Sequence, residues 1–330
     1  SELHNSSMVV IVTDEKVASY YSSQVIESFL SNGFHAVEYK FPPGEKSKNM
    51  NQLIHLLEFL AQNKLGRNDL IVALGGGVTG DLAGFASSIY QRGIAYIQLP
   101  TTLLAACDSS VGGKTGVNLE SGKNLAGTFW QPKLVICDCN SFQTLPKREL
   151  ASGAAECVKY GVLGNPHLID IFIRDRLNTS WEDVVELCVK QKAKIVALDE
   201  REQGVRQLLN LGHTVGHAIE KLSDYKISHG HGIAIGMVAL TQAAEEMGIC
   251  ILGVSKLLRR TFFRLGIPIF CPFTPEDVTE FALRDKKRRG NKITLVLPKS
   301  IGNCILYTIK TNELLSVIKA GWRGLYANTM

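Results

Sequence analysis

Leu70-Ile71-Val72-Ala73-Leu74-Gly75-Gly76-Gly77-Val78-Thr79-Gly80-Asp81 is the stretch that decides the fold of this chain. Five apolar residues read as a short buried strand, the glycines as a tight turn, and the Ala- and Ser-rich segment beyond them as a helix. Strand, glycine turn and helix in that order can cradle a diphosphate. Glycine lets the backbone approach the ligand, and free N–H groups at a helix N-terminus favour its negative charge. The spacing is not the usual Gly-x-Gly-x-x-Gly, so a tight turn without a ligand is the alternative.

Outward from that turn, Met8 to Val12, Ala95 to Leu99 and Leu134 to Cys137 also read as strands, and Leu53, Ile54, Leu57 and Leu60 recur at helical spacing. The alternation predicts an α/β domain with a parallel sheet covered by helices over residues 1–145. Pro100-Thr101-Thr102 follows a strand directly and places hydroxyls at the sheet edge where open α/β sheets bind ligands. Past Arg148 helical patterns take over: Leu150 to Leu163, Trp181 to Leu198, Thr214 to Leu222 and Gly232 to Met247. A β-like pair, Ile293 to Leu297 and Cys304 to Ile309, interrupts them. Residues 146–330 are therefore expected to form a second, mainly α-helical domain, as 330 residues exceed what one core organises.

The composition, 45% hydrophobic and 20% charged, is that of a globular protein, and no apolar run approaches the roughly 20 residues of a membrane span. Ser1-Glu2-Leu3-His4-Asn5 lacks a basic segment followed by an apolar one, so cytoplasmic residence and no membrane partner are expected. Eight cysteines without CxxC spacing, among them Cys107, Cys137, Cys157 and Cys188 in apolar segments, read as reduced, buried hydrophobes. A net charge of +5 is too modest to demand nucleic acid. The basic run from Arg284 to Arg289 would serve an anionic small molecule, a nucleic acid or solubility alone.

The residues with chemistry concentrate in the second half. His213 and His217 are four apart, on one face of a helix, and His229-Gly230-His231 follows twelve residues later. Neutral imidazole ligates zinc, and a catalytic zinc needs about three protein ligands plus an open position. Histidines that pack or cap are the alternative. Ala155-Glu156-Cys157-Val158-Lys159 places a carboxylate and an ammonium three apart on an otherwise apolar helix, either as a surface ion pair or with Glu156 as a further metal ligand. Asp108 to Thr115 superficially resembles a phosphate-binding loop but lacks the Gly-x-x-x-x-Gly-Lys register, which excludes a nucleoside triphosphatase. Glycine-flanked Lys114, and Lys123 and Asn124 soon after, remain as polar candidates for anion chemistry.

Taken together, Pro43-Gly44-Glu45, Gly75 to Asp81, Pro100 to Ala105, Asp108 to Asn118, Gly122-Lys123-Asn124, Glu156 to Lys159, Arg206 to Glu220 and Asp285-Lys286-Lys287 resemble the 3-dehydroquinate synthase family, in family order. The resemblance implies a Rossmann-like dinucleotide-binding domain followed by a mainly helical metal- and substrate-binding domain, with the active site in the cleft between them. It implies tightly held NAD and one zinc ion, with cobalt as an alternative occupant. Glu156, His213 and His229 match the metal ligands, and His217 matches an active-site histidine near the leaving phosphate, which splits the simple His-x-x-x-His pair. Asp14, Glu45, Lys48, Gly75, Gly76, Gly77, Asp81, Thr101, Thr102, Asp108, Lys114, Lys123 and Thr144 match cofactor-binding positions. Lys114, Asn124, Lys159, Lys192, Arg206, Asn210, Lys286 and Lys287 match substrate contacts. Arg92 matches a residue that reaches the phosphate in a neighbouring subunit's site, which implies a homodimer.

The activity so implied converts 3-deoxy-D-arabino-heptulosonate 7-phosphate to 3-dehydroquinate and phosphate, the second step of the shikimate pathway. Where the family has an acidic residue after His229-Gly230, this chain has His231, so a different second shell around the metal is expected. Competing readings are another sugar-phosphate cyclase, a glycerol-type metal-dependent dehydrogenase, and a nucleic-acid-binding protein on an inactive enzyme fold.

Overall fold

The computed structural model describes residues 8–284, 290–323 and 325. They divide into two compact units, the boundary falling between Leu145 and Pro146.

Unit 1 is built on β1 (Met8–Asp14), α1 (Glu15–Ser31), β2 (His35–Phe41), α2 (Met50–Gln62), β3 (Leu70–Gly75), α3 (Gly77–Ile89) and β4 (Ala95–Pro100). A hairpin of β5 (Lys114–Leu119) and β6 (Gly122–Phe129) and a two-residue strand β7 (Leu134–Val135) complete it. The sheet is parallel with order β2-β1-β3-β4-β7. Val9 to Val12 of β1 are all fully buried, because both faces of the strand are covered. Val10 and Val12 join Leu53, Leu56 and Leu60 of α2 and Leu82, Ala83 and Ala86 of α3. The alternate residues Val9 and Ile11 meet Val17, Tyr21 and Val25 of α1 on the opposite face. Burial of each such side chain is worth about 1.5–3 kcal/mol, so four in a row hold β1 inside the sheet, between β2 and β3.

The chain leaves β1 through α1 to β2 on one side, then returns through α2 to β3 on the other side of β1. The switch in direction lies between the carboxyl ends of β1 and β3, where open α/β sheets bind ligands. Asp14 and Gly75 occupy those two ends.

Unit 2 carries α4 (Lys147–Leu163), α5 (His167–Asp175), α6 (Trp181–Leu198), α7 (His213–Leu222), α8 (His229–Glu246), α9 (Val254–Arg264) and α10 (Pro275–Arg284). The antiparallel pair β8 (Lys292–Ser300) and β9 (Asn303–Lys310) and the helix α11 (Leu314–Trp322) follow. Helix α8 is central: it packs against α4, α7, α9 and α11. These contacts are backbone-close. A Cβ on Gly230 would lie 1.9 Å from the Ser152 carbonyl oxygen, and one on Gly236 would lie 2.1 Å from that of Gly212. No helix among the described residues is long and apolar enough to cross a membrane.

Several elements differ from the reading of the sequence. The last strand of the sheet is Leu134–Val135, shorter than Leu134 to Cys137, and Cys137 is only half-buried. Lys114 opens a strand, where the sequence offered only a glycine-flanked loop. β2 escaped notice because it is an edge strand in which only Tyr39 and Phe41 are buried. Lys286, Lys287 and the basic run beyond Arg284 lie outside the described residues.

Gly236→Ala is expected to cost about 1–3 kcal/mol, because its new methyl overlaps a carbonyl oxygen on a packed helix. Chemical denaturation measures it; a loss below about 0.5 kcal/mol would show that α7 and α8 can separate freely.

Candidate active site

In unit 2, one buried carboxylate organises the chemistry. Glu156 sits at the middle of α4 at 0% exposure, flanked by a run of buried residues from Ala151 to Leu163. Its Oε2 lies 2.6 Å from Lys159 Nζ, itself 1% exposed. This ion pair is therefore buried, and the surface pair that the sequence left open is excluded. The carboxylate's other oxygen, Oε1, lies 3.6 Å from His213 Nε2 and 3.3 Å from His229 Nε2.

Both imidazoles are held from behind. His213 opens α7 just after Gly212, whose φ of 79° is the left-handed turn glycine adopts without strain. Its Nδ1 lies 3.0 Å from the Leu211 carbonyl oxygen. His229 opens α8, and its Nδ1 lies 3.1 Å from Glu220 Oε2. Each Nδ1 therefore donates its proton backward and turns Nε2 toward Glu156.

Two ligands of a tetrahedral ion bound at about 2.0–2.1 Å stand about 3.3 Å apart. The separations from Glu156 Oε1 to the two Nε2 atoms match that spacing, and the anion-neutral-neutral donor set suits a divalent cation such as zinc. His217 also belongs to the cluster: the ligating atoms of His213, His217 and His229 lie within 4.8 Å of one another. Its side chain, however, is 52% exposed and its Nε2 lies 4.0 Å from Glu220 Oε2. Glu156 touches both other histidines from full burial, so we take it as the third ligand and His217 as the exposed neighbour.

His213 and His229 differ in charge. Burial drives His213 well below its usual pKa, and the Glu156 charge does not restore it, so this imidazole is neutral. Burial also opposes charge on His229, but its hydrogen bonds to Glu156 and Glu220, with the charges of both carboxylates, outweigh this and lift its pKa to about 10. Glu220, 5% exposed, was in plain view in the sequence yet given no role. Its spacing of three from His217 is the only local signal, and its true partner, nine residues on, is set by tertiary packing. His231 is turned away, with Nε2 2.9 Å from the Pro268 carbonyl oxygen, so the outer contact to His229 comes from Glu220 and not from the histidine expected to alter it.

Three further cations are buried in unit 2: Lys159, Lys192 on α6 and Arg206 on the short helical turn Val205–Asn210. α4, α6 and that turn pack on one another. Asp199 fixes the loop by accepting from the backbone N–H groups of Gln203, Gly204 and Arg206. Arg206 also donates to the Glu200 carbonyl oxygen, and Asn210 donates to Glu202 Oε1 at 2.6 Å. Their fixed fork and ammonium donors are of the kind that bind carboxylate or phosphate groups.

In unit 1, the carboxyl edge of the sheet gathers a second group. Gly75 ends β3, Gly76 precedes α3 with no side-chain cap, and Gly77 starts the helix, leaving its first N–H groups available. A Cβ at Gly75 would lie 2.4 Å from Thr79 Oγ1, one at Gly76 3.1 Å from the Thr102 methyl, and one at Gly77 3.1 Å from Ser109 Oγ. Thr101 braces the turn by donating its N–H to the Gly75 carbonyl at 3.0 Å. The cradle is thus open only because side chains are missing, and it fits a diphosphate.

Beside it, Lys48 Nζ lies 2.6 Å from Asp81 Oδ2, and Glu45 Oε1 accepts from Asn118 at 2.8 Å with Lys123 Nζ 3.8 Å away. Asn124 follows, its N–H donated to Asn118 Oδ1. Asn118 carried no role in the sequence reading, although it joins the Glu45 turn to the β5–β6 hairpin. Asp14 accepts from Lys16 and Val17 N–H groups as the cap of α1. The other expected residues have the following surroundings. Thr144 Oγ1 is 2.7 Å from Tyr21 Oη, Lys114 is exposed at the far end of the hairpin, and Asp108 is half-buried in the helical turn Ala105–Ser109. Arg92 lies beyond the opposite end of α3 from the glycine turn, about 20 Å of helix away.

Models of the 3-dehydroquinate synthase N-terminal and C-terminal regions match residues 38–152 and 153–288. The chain belongs to the 3-dehydroquinate synthase family. The 3-dehydroquinate synthase of Desulforamulus reducens is 42% identical over 96% of this chain and 91% of its own length. That of Streptococcus suis is 40% identical over 96% and 92%. Among solved structures, 2-deoxy-scyllo-inosose synthase complexed with carbaglucose-6-phosphate, NAD+ and Co2+ aligns with a TM-score of 0.87 at 26% identity, over 96% of this chain and 91% of that one. The 2-epi-5-epi-valiolone synthase of Streptomyces hygroscopicus shares the fold, with a TM-score of 0.86 at 24% identity, over 96% and 91% of the two chains.

His213→Ala and His229→Ala are each expected to abolish zinc retention through dialysis, while His217→Ala keeps it. Equal loss from all three would assign His217 to the metal. Glu220→Gln should weaken zinc about 10–100-fold, as loss of a carboxylate behind a ligating imidazole does. Because His229 holds a proton at pH 7 that a cation must displace, zinc uptake should release about one proton per ion and weaken as pH falls below 10. Calorimetry in buffers of different ionisation enthalpy measures that proton; a buffer-independent heat would contradict the His229–Glu156 arrangement.

Proposed function

We propose that this chain is a 3-dehydroquinate synthase, converting 3-deoxy-D-arabino-heptulosonate 7-phosphate to 3-dehydroquinate and phosphate in the shikimate pathway, on the way to the aromatic amino acids. Its family membership over nearly the whole chain supports this reading, and the Glu156–His213–His229 trio carries it. Residues 1–145 bind NAD and residues 146–330 bind the metal and the substrate's anionic groups. The related inosose synthase was solved with NAD+ and Co2+, which supports the same cofactor pair here.

Bound NAD supplies a hydride acceptor that is restored within each turnover. A divalent cation, zinc or cobalt, supplies Lewis acidity at the hydroxyl undergoing oxidation and at the carbonyl it becomes. The chain's own residues do the rest. The Gly75–Gly77 turn, with Thr101, Thr102, Lys48 and Asp81, orients the dinucleotide; Asp14, Glu45, Asp108, Lys123 and Thr144 are assigned to the same task. Glu156, His213 and His229 hold the cation, with Leu211 and Glu220 fixing the rings. Lys159, Lys192, Arg206 and Asn210 bind and orient the substrate's carboxylate and hydroxyls, which lowers the entropic part of the barrier. His217, half-exposed beside the metal ligands, is placed to hold or move a proton as phosphate leaves. Lys114 and Asn124, and Lys286 and Lys287 beyond the described residues, are further substrate contacts in this reading.

Arg92 supports a homodimer. It follows Gln91 in a turn where both residues have positive φ, 48° and 69°, a strain that ordinary surface turns avoid. Unit 1 also exposes Ile89, Leu125, Phe129, Leu134 and Ile136, apolar surface that a second copy would cover. The reading places the enzyme in the cytoplasm, in keeping with its free cysteines.

A cyclase acting on a sugar phosphate without a carboxylate would not need the buried cationic set around Arg206, which favours the heptulosonate. Protein saturated with zinc and NAD should release phosphate from heptulosonate 7-phosphate without net NADH. Absence of phosphate would defeat the reading, faster release from a hexose 6-phosphate would make it another cyclase, and NADH accumulation with glycerol would make it a dehydrogenase.

A further inference from the structure

A cavity of about 800 Å³ opens within unit 2, between the start of α4, the end of α5, the start of α8 and the end of α9. None of the residues assigned to the reaction lines it. Five cationic residues do: Lys147, Arg148, Arg176, Lys226 and Arg264. No carboxylate lines it among the described residues. So one-sided a lining focuses a positive potential into the concavity. The amino ends of two long helices add to it, since α4 begins at Lys147 and α8 follows Ser228 with no side-chain cap at either end.

Two of the arginines are already ordered. Arg148 donates to the Lys226 carbonyl oxygen, and Arg264 donates through Nε to the Ile173 carbonyl oxygen at 3.1 Å. Each guanidinium retains further N–H donors, so a ligand would meet preformed donors at reduced entropic cost. The cavity also has an apolar side, formed by Leu150, Leu177, Ile227, Leu265 and Ile267. Its volume falls in the range of small-molecule sites.

We propose that this cavity binds a small organic phosphate whose body is an apolar ring, the phosphate on the arginines and lysines and the ring against the leucines and isoleucines. Lys226 to Ser228 form part of its wall and run directly into His229 at the cation-binding trio, so an occupant at this place would be read out at the active site.

Phenyl phosphate is the probe, titrated calorimetrically into the full chain saturated with zinc and NAD, which removes the dinucleotide cradle from competition. A saturable binding phase is expected that is weakened roughly tenfold or more by the double charge reversal Lys147→Glu with Lys226→Glu, any binding at the active site being unchanged by it. Both side chains are exposed, so an unchanged melting temperature without ligand verifies that the variant folds. Lys299→Glu, an exposed change elsewhere on the unit, should bind as the unmodified chain does. Inorganic phosphate should bind several-fold more weakly because it leaves the apolar wall unused. No saturation at millimolar probe, equal affinity in the double variant, or inorganic phosphate binding as tightly as phenyl phosphate would each overturn the proposal.

Discussion

The carboxylate of Glu156, taken wholly out of water in the middle of α4, is the constraint on which the second unit depends. A lone buried charge costs several kcal/mol, and only close partners of opposite charge with good hydrogen bonds offset it. Those partners come from two helices, Lys159 one turn along α4 and His229 at the start of α8, and the neutral His213 at the start of α7 faces the same carboxylate. A cation at that point would satisfy the carboxylate better than the shared proton of His229 does. The packing of the unit and its candidate metal site therefore centre on the same charge.

The partners reach Glu156 because the helices approach to backbone distance. Gly230 lets α8 touch Ser152 of α4, and Gly212, Gly216, Gly232 and Gly236 let α7 and α8 lie against one another. An alanine at Gly230 or Gly236, where its methyl would lie 1.9 or 2.1 Å from a carbonyl oxygen, would force these helices apart and disturb the spacing of the histidines. The first unit uses the same device differently. At Gly75, Gly76 and Gly77 the missing side chains leave room for a ligand, with Thr79, Thr102 and Ser109 defining the walls. In one unit glycine brings protein to protein, and in the other it leaves space for an anion.

Much of this was legible in the linear chain. The strand into Gly75, the helices at α4, α6, α7 and α8 and the closing hairpin announce themselves by period, since each buries most of one face or all of its surface. β2 and the β5–β6 hairpin were hidden because edge strands and exposed hairpins tolerate polar residues at most positions. The same rule hid Asn118, whose role lies in joining two loops 73 residues apart.

The sequence by itself determined which groups are candidates for the chemistry: a glycine turn after a buried strand, an acid in an apolar helix, and a run of histidines whose order matches one family. Residue type and local period encode such features directly. Only the tertiary structure decided how they are used. It gathered His213, His217 and His229 into one cluster, placed Glu220 and not His231 behind His229, and buried the Glu156–Lys159 pair that might equally have lain on the surface. Each of these depends on distances between helices far apart in the chain. Those distances are set by packing and by the glycines at the contacts, and no local pattern specifies them.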